Sequence, residues 1–219
     1  MQVSHAIRER RSIRAFLPEP IPTETVRQIV DLAKWSPSWA NSQGWNVYVL
    51  QGAALDQLKD AYTVLGAEAA EGQTDLPMPR EWPGYLASRM LARRPSVEAP
   101  GASTSGRPEG PSIWNFWGAP CLVLMAIDPQ VEPAYACFDA GLFAQTFCLA
   151  AEDRGFSTCI MAMSVRYADV LHELIPAAEG KHFAIGIALG FADHTAVINR
   201  GERNRVETDE LATFLDGDK

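Results

Sequence analysis

Arg10, Arg11, Ser12 and Arg14 put three guanidiniums and a hydroxyl within five residues, in a chain whose 27 acidic side chains outnumber its 19 basic ones. Forked N–H donors beside an O–H suit the three oxygens of a phosphate monoester. A plainer reading fits Arg8, Arg10 and Arg11, as solvated cations on the last turn of a helix, where the macrodipole favours positive charge. Arg14 fits that reading less well, because Arg14-Ala15-Phe16 has an extended pattern. The ligand this stretch suggests is one small phosphorylated molecule. A nucleic acid is not expected, since a formal charge of −8 argues against a basic face that displaces counterions.

Other chemistries lack their motifs. The sequence has no GxxxxGK[ST] and no GxGxxG after a strand, and Gly186 to Gly190 has the wrong spacing. It also lacks a GxSxG elbow and an HExxH pair, and His5, His172, His182 and His194 are scattered. Cys121, Cys137, Cys148 and Cys159 form no CxxC pair, so they are expected to be buried thiols in a reducing compartment, with no metal site. What remains is chemistry carried by a bound cofactor.

The elements that must position these residues follow from pattern. With 219 residues, 47% hydrophobic and 21% charged, the chain reads as one globular domain, residues 1–219. The longest unbroken apolar stretch, Ala119–Ile127, is far shorter than the roughly 20 residues of a membrane-spanning helix. The N-terminus has no signal-peptide core, so a soluble, cytoplasmic protein without a membrane partner is expected. Ser4 is placed to cap a short first helix ending near the arginines. A second helix opens at Pro20–Thr23, carries Val26, Ile29, Val30 and Ala33, and stops at Ser36-Pro37. Strands are expected at Trp45–Leu50, Leu122–Ile127, Ser157–Met161 and His182–Leu189. Helices are expected around Leu55–Ala69 and, deeply buried, over Tyr135–Arg154 before Gly155. This alternation predicts an α/β or α+β sandwich around a mixed sheet.

One region breaks the rhythm. Residues of about 73–117 are proline-rich, with Pro77, Pro79, Pro83 and Pro95, and form an insertion of the kind that is either disordered or a functional lid. Trp82, Tyr85, Trp114, Phe116 and Trp117 argue for packing at its two ends, whereas 101–110 is expected to be disordered. Such aromatics are as readily ordinary core as pocket wall.

The order of these segments resembles the nitroreductase family of FMN-dependent NAD(P)H oxidoreductases, over nearly the whole chain. Arg10-Arg-Ser-Ile-Arg-Ala-Phe16 is similar to its flavin-phosphate motif, and Trp35-Ser-Pro-Ser-Trp-Ala-Asn-Ser-Gln-Gly-Trp45 to its second motif. Asn115–Pro120 and Asp139–Phe147 match the central pattern, and Asn199–Leu211 the C-terminal basic segment. The resemblance implies an α+β (α/β sandwich) fold with a central mixed, mainly antiparallel sheet flanked by helices, in an intertwined homodimer with FMN at the interface. It implies that Arg10, Arg11, Ser12 and Arg14 hold the phosphate and ribityl end with Arg205 and Arg203. Pro37, Ser38, Trp39, Asn41 and Gln43 would come from the partner chain, and Met161, Ala162 and Met163 would line the ring.

The activity so implied is hydride passage from NADH or NADPH through FMN, in ping-pong fashion, to small electron-poor aromatics such as nitroaromatics or quinones. No dedicated catalytic acid or base is implied. Trp39, Trp82, Tyr85, Trp114, Phe116 and Trp117 would form the substrate pocket, with the insertion as its lid. Reductive dehalogenation, flavin-dependent dehydrogenation and non-catalytic flavin binding use the same scaffold and stay open. Departures from the family pattern are Gly44 in place of proline, a bulky Trp39, and Ile160-Met-Ala-Met163 where the flavin-reductase branch has Glu-Gly. They point to the nitroaromatic or nitrobenzoate-type branch, with Arg89 or Arg93 as candidates for the pyrimidine edge.

Overall fold

The computed structural model describes residues 1–92, 110–201 and 203–215. Four strands, β1 (Trp45–Gln51), β2 (Cys121–Ile127), β3 (Ser157–Met161) and β4 (His182–Gly190), form one sheet in the order β1-β2-β4-β3. The principal helices are α1 (Val3–Glu9), α2 (Thr23–Ala33), α3 (Gly52–Ala67), α4 (Gly84–Ala92), α5 (Pro133–Asp153), α6 (Ala168–Leu174) and α7 (Thr208–Leu211).

β2 explains the layering. Every residue of Cys121–Ile127 is buried, and successive side chains of a strand point to opposite faces. Leu122, Leu124 and Ala126 therefore meet Leu55, Leu58 and Tyr62 of α3 and Leu171 of α6. Cys121, Val123, Met125 and Ile127 meet Val26, Ile29 and Ala33 of α2 and Phe143 and Phe147 of α5. One continuous apolar run thus feeds two cores, giving an α+β sandwich with the sheet in the middle. Each fully buried large side chain there contributes about 1.5–3 kcal/mol.

All three strand pairings are antiparallel; the parallel contribution to the sheet's edge is a single bridge from Ser12 to Thr158. The strands begin and end within a residue or two of their expected bounds. The expected cap at Ser4 is corrected: α1 starts at Val3, with Gln2 at the cap and no side-chain capping bond. The buried-thiol expectation is corrected at Cys137, which is exposed on α5, while Cys121, Cys148 and Cys159 are buried. α5 begins earlier than expected because Pro133 can occupy the first turn, where its missing N–H costs nothing. Among the described residues α5 alone has the length and apolarity that crossing a bilayer needs, and half of that stretch is buried inside the fold. The disorder expected over 101–110 lies, apart from Gly110, outside the described residues.

Candidate active site

The basic cluster forms where the chain leaves α1. Residues 12–16 run extended: the Ile13 amide donates to the Thr158 carbonyl at 3.0 Å and Phe16 bridges to Ala192. Ile13 and Ala15 are buried, so the alternation leaves Ser12 and Arg14 together on the opposite, half-open face. Asn199 locks this path from the far end of the sequence. Its Oδ1 accepts the Arg14 amide at 2.7 Å, and its Nδ2 donates to the Ala15 and Asp193 carbonyls, both at 2.8 Å.

That lock brings the C-terminal arginines home. Arg203 Nη1 donates to the Arg10 carbonyl, and burial lowers the Arg203 pKa, with the like charges of Arg11, Arg10 and Arg205 adding to the fall and Glu9 opposing it. Glu152 lies on the rim: burial pushes its carboxyl up, Arg10, Arg203 and Arg11 pull it back, and Glu9 adds to the rise. Arg14 Nη1 reaches the Ser12 carbonyl at 3.3 Å, and Arg205 Nη1 its neighbour Asn204 at 2.7 Å. Among the described residues, Arg10, Arg11, Arg14, Arg203 and Arg205 form no ion pair. Five arginines gathered beside Glu9 and Glu152, with no ion pair formed among the described residues, suit an anion with several oxygens. A phosphate monoester fits this donor set.

The loop after α2 sits elsewhere. Ala40, Asn41 and Gln43 have φ of 47°, 59° and 50°, left-handed for residues that bear a Cβ. Two anchors hold this strain. Both carboxylate oxygens of Asp139 accept the Trp39 amide, at 3.0 and 3.1 Å, and Ser38 Oγ accepts the Gln43 amide at 2.9 Å. The Trp39 ring packs edge-on against Tyr135 of α5 at 4.7 Å. Pro37, Trp39, Asn41 and Gln43 are exposed and Ser38 is half-buried. Among the described residues no hydrogen bond or ion pair joins this loop to the arginines: it rests on the start of α5, by Tyr135 and Asp139, whereas Glu152, beside the basic cluster, is at the other end. Asp139 and Glu152 are thirteen positions apart on the helix, roughly 20 Å at 1.5 Å per residue.

The third segment follows β3. Met161 is buried, Met163 half-buried and Ala162 exposed, in a turn that continues as a short 3-10 helix to Val165. The aromatic insertion divides in two. Phe116 is 0% exposed against Tyr62 at 5.2 Å, Trp117 is buried, and the half-buried Trp114 packs over Gly66 and beside Tyr167. For Phe116 and Trp117 the pocket-wall expectation is corrected, since a buried ring has little or no surface to offer a ligand. Trp82 and Tyr85 are exposed, and Arg89 of α4 lies over the Tyr85 ring at 5.5 Å while pairing with Glu210 of α7 at 3.4 Å. Arg93 lies outside the described residues. Asp139 and Asn199 open two of the matched segments, but motif reading gave neither a role of its own. Asp139 carried one signal, as an acid within an otherwise apolar helix.

Two cavities lie apart from all of these residues. One of about 380 Å³ runs beside β1, between Tyr48, Leu50 and Ile175. Another, of about 540 Å³, lies by Asp75, His172 and Lys181. His172 is a satisfied structural residue, its Nε2 at 3.1 Å from Asp75 Oδ2.

The sandwich of this strand order thus carries a cationic cluster by one end of its long helix α5 and a strained, amide-rich loop by the other. The chain belongs to the Nitroreductase family, whose model matches residues 7–191. It is 31% identical to the chloronitrobenzene nitroreductase of Comamonas testosteroni, over 97% of this chain and 96% of that one. It is 28% identical to the 4-nitrobenzoate reductase of Pseudomonas putida, over 97% and 95%. Among solved structures it is similar to the FMN-dependent nitroreductase NfnB from Mycobacterium smegmatis in complex with NADPH, with a TM-score of 0.83, 30% identity, and 97% of each chain covered.

Proposed function

We propose that this protein is an FMN-dependent NAD(P)H oxidoreductase that reduces small electron-poor aromatics, nitroaromatics foremost, as a homodimer in the cytoplasm. The observation that carries the reading is the convergence of Arg10 and Arg11 with Arg203 and Arg205, on a fold shared with the chloronitrobenzene nitroreductase and the 4-nitrobenzoate reductase. The chemistry bound FMN supplies is hydride relay from NADH or NADPH to an acceptor at the same ring face.

The chain's own residues bind and orient. Arg10, Arg11, Ser12, Arg14, Arg203 and Arg205 hold the phosphate and the ribityl end. The side-chain amides of Asn41 and Gln43 can hydrogen-bond the polar ring edge, with Pro37, Ser38 and Trp39 beside them, while Met161, Ala162 and Met163 line the ring. Trp82 and Tyr85 cover the acceptor as the open part of the lid formed by the insertion, with the half-buried Trp114 as a further pocket residue.

The roughly 20 Å of helix between Asp139, which anchors the loop, and Glu152, beside the arginines, supports a site shared by two chains. So does the outer face of α5, where Ala134, Phe138, Gly141 and Gln145 form an exposed stripe at helical spacing. The open edge of β1 and the exposed Phe214 and Leu215 offer further surface to a partner.

The test is FMN retention. Arg14→Ala or Arg205→Ala is expected to weaken FMN binding about tenfold or more, as loss of a charge-assisted bond does, while the exposed Arg27→Ala in α2 leaves it unchanged. Equal retention in all three, read by flavin fluorescence, would remove the phosphate role. A purified chain that neither carries nor binds FMN would end the flavoprotein reading.

A further inference from the structure

Tyr62 of α3 is fully buried, yet its hydroxyl serves backbone 102 and 105 residues away. It donates to the Ser164 carbonyl at 2.8 Å and accepts the Tyr167 amide at 3.4 Å. Burial drives the phenol far above its ordinary range, so it stays a protonated donor at any working pH. Ser164 continues the chain of contacts: its Oγ donates to the Met161 carbonyl at 2.6 Å. On its other side stands Gly186 of β4, where an added Cβ would lie 2.2 Å from Ser164 Oγ. The turn after β3 is thereby clamped between α3 and the sheet.

The same tyrosine meets both roots of the aromatic insertion. Its ring lies 5.2 Å from Phe116, at the insertion's return, and 5.0 Å from Tyr167. The segment around Tyr167 holds the insertion's departure, since the Ala168 amide donates to the Gln73 carbonyl at 2.9 Å and Tyr167 bridges to Gln73. Arg166 fills the space a side chain at position 72 would take, with its Cγ 2.4 Å from an added Cβ. One buried aromatic junction thus joins the Met161–Met163 turn to both ends of the segment that bears Trp82 and Tyr85.

We propose that Tyr62 is a positioning residue for the reaction: its hydroxyl sets the Met161–Met163 turn against the bound ring and couples that turn to the insertion. This rests on the reading that the turn lines the flavin. The discriminating variant is Tyr62→Phe, which keeps the ring and its packing and removes only the hydroxyl.

Three readouts are taken on it. In FMN-free protein, hydrogen exchange of amides 164–167 is expected to quicken about tenfold, the effect of one lost buried hydrogen bond. FMN affinity is expected to stay within about twofold, because the arginine cluster is untouched. In loaded protein, single-turnover reduction by NADPH or NADH is expected to slow about tenfold while the dissociation constant of the nicotinamide holds. Ser164→Ala, which frees the Met161 carbonyl and leaves both Tyr62 bonds in place, should likewise slow reduction with FMN affinity held. Exchange and reduction both at wild-type rates would overturn the proposal. So would a fall in FMN affinity that matches the fall in reduction rate, which marks general loosening of the core. A wild-type chain that binds no FMN overturns it by a different route, through the flavoprotein reading, and is told apart by the absorption spectrum before any variant is made.

Discussion

Asp139 is the one carboxylate buried among the described residues, and both its oxygens accept a single backbone N–H, that of Trp39. Three left-handed residues follow Trp39, each costing of order 1–3 kcal/mol unless the surroundings fix it. The carboxylate is what fixes it. Asp139→Ala is therefore expected to let residues 37–43 relax, lowering FMN affinity by about ten- to a hundredfold, with Asp139→Asn intermediate because one acceptor oxygen remains. A fluorescence titration giving wild-type affinity for Asp139→Ala would show that the loop needs no such anchor. The contrast with the arginines explains what the sequence made legible at this scale. Arginines crowded into an acidic chain, just past a helix end, suggest an anion by type and spacing, beside the plainer reading as solvated helix-end cations. Asp139 and Asn199 act through backbone groups 100 and 185 residues away, and no local pattern encodes a partner that distant.

Elements were more legible than contacts. β2 could be read because seven apolar residues in a row demand burial on both faces, and α2 because Val26, Ile29 and Ala33 share one side. The aromatics of the insertion were not separable, since composition does not distinguish a ring that packs downward from one that faces a pocket. Phe116 and Trp117 turn down because they, with Gly118, take left-handed φ of 54°, 60° and 77°, a path that the reciprocal Ser112–Asn115 capping bonds hold in place. Trp114 docks on α3 at Gly66, where an added Cβ would stand 2.4 Å from its ring. Gly66→Ala sets two effects against each other. Helix propensity gains about 1 kcal/mol, while overpacking costs about 1–3 kcal/mol. The fused ring cannot yield as a flexible chain would, so net destabilisation is expected, with red-shifted tryptophan emission as Trp114 is displaced. A raised melting temperature with unchanged emission would mean that α3 moves aside freely.

At the scale of the whole molecule, α5 decides whether one chain is enough. Its inner face carries Phe143, Phe147 and Ala151 into the core, while Phe138 on the outer face is 66% exposed and Gly141 has no neighbouring atom within reach of a Cβ. A helix apolar all round is normally buried all round, and a glycine in the outer stripe lets a second backbone approach closely. Gly141→Leu separates the needs of the protomer from those of a pair. Within one chain the change fills open space and favours the helix, by about 0.8–1 kcal/mol at most, so the isolated fold should be no less stable. Between two chains the new side chain would occupy the contact. The expected result in sedimentation is a folded monomer, and with it loss of the flavin's visible absorbance, as the proposed two-chain site requires. A Gly141→Leu protein that stays dimeric would move the interface off this stripe. A monomer that keeps its FMN would mean that one chain holds the whole ligand, against the roughly 20 Å that divides the two halves of the site along α5.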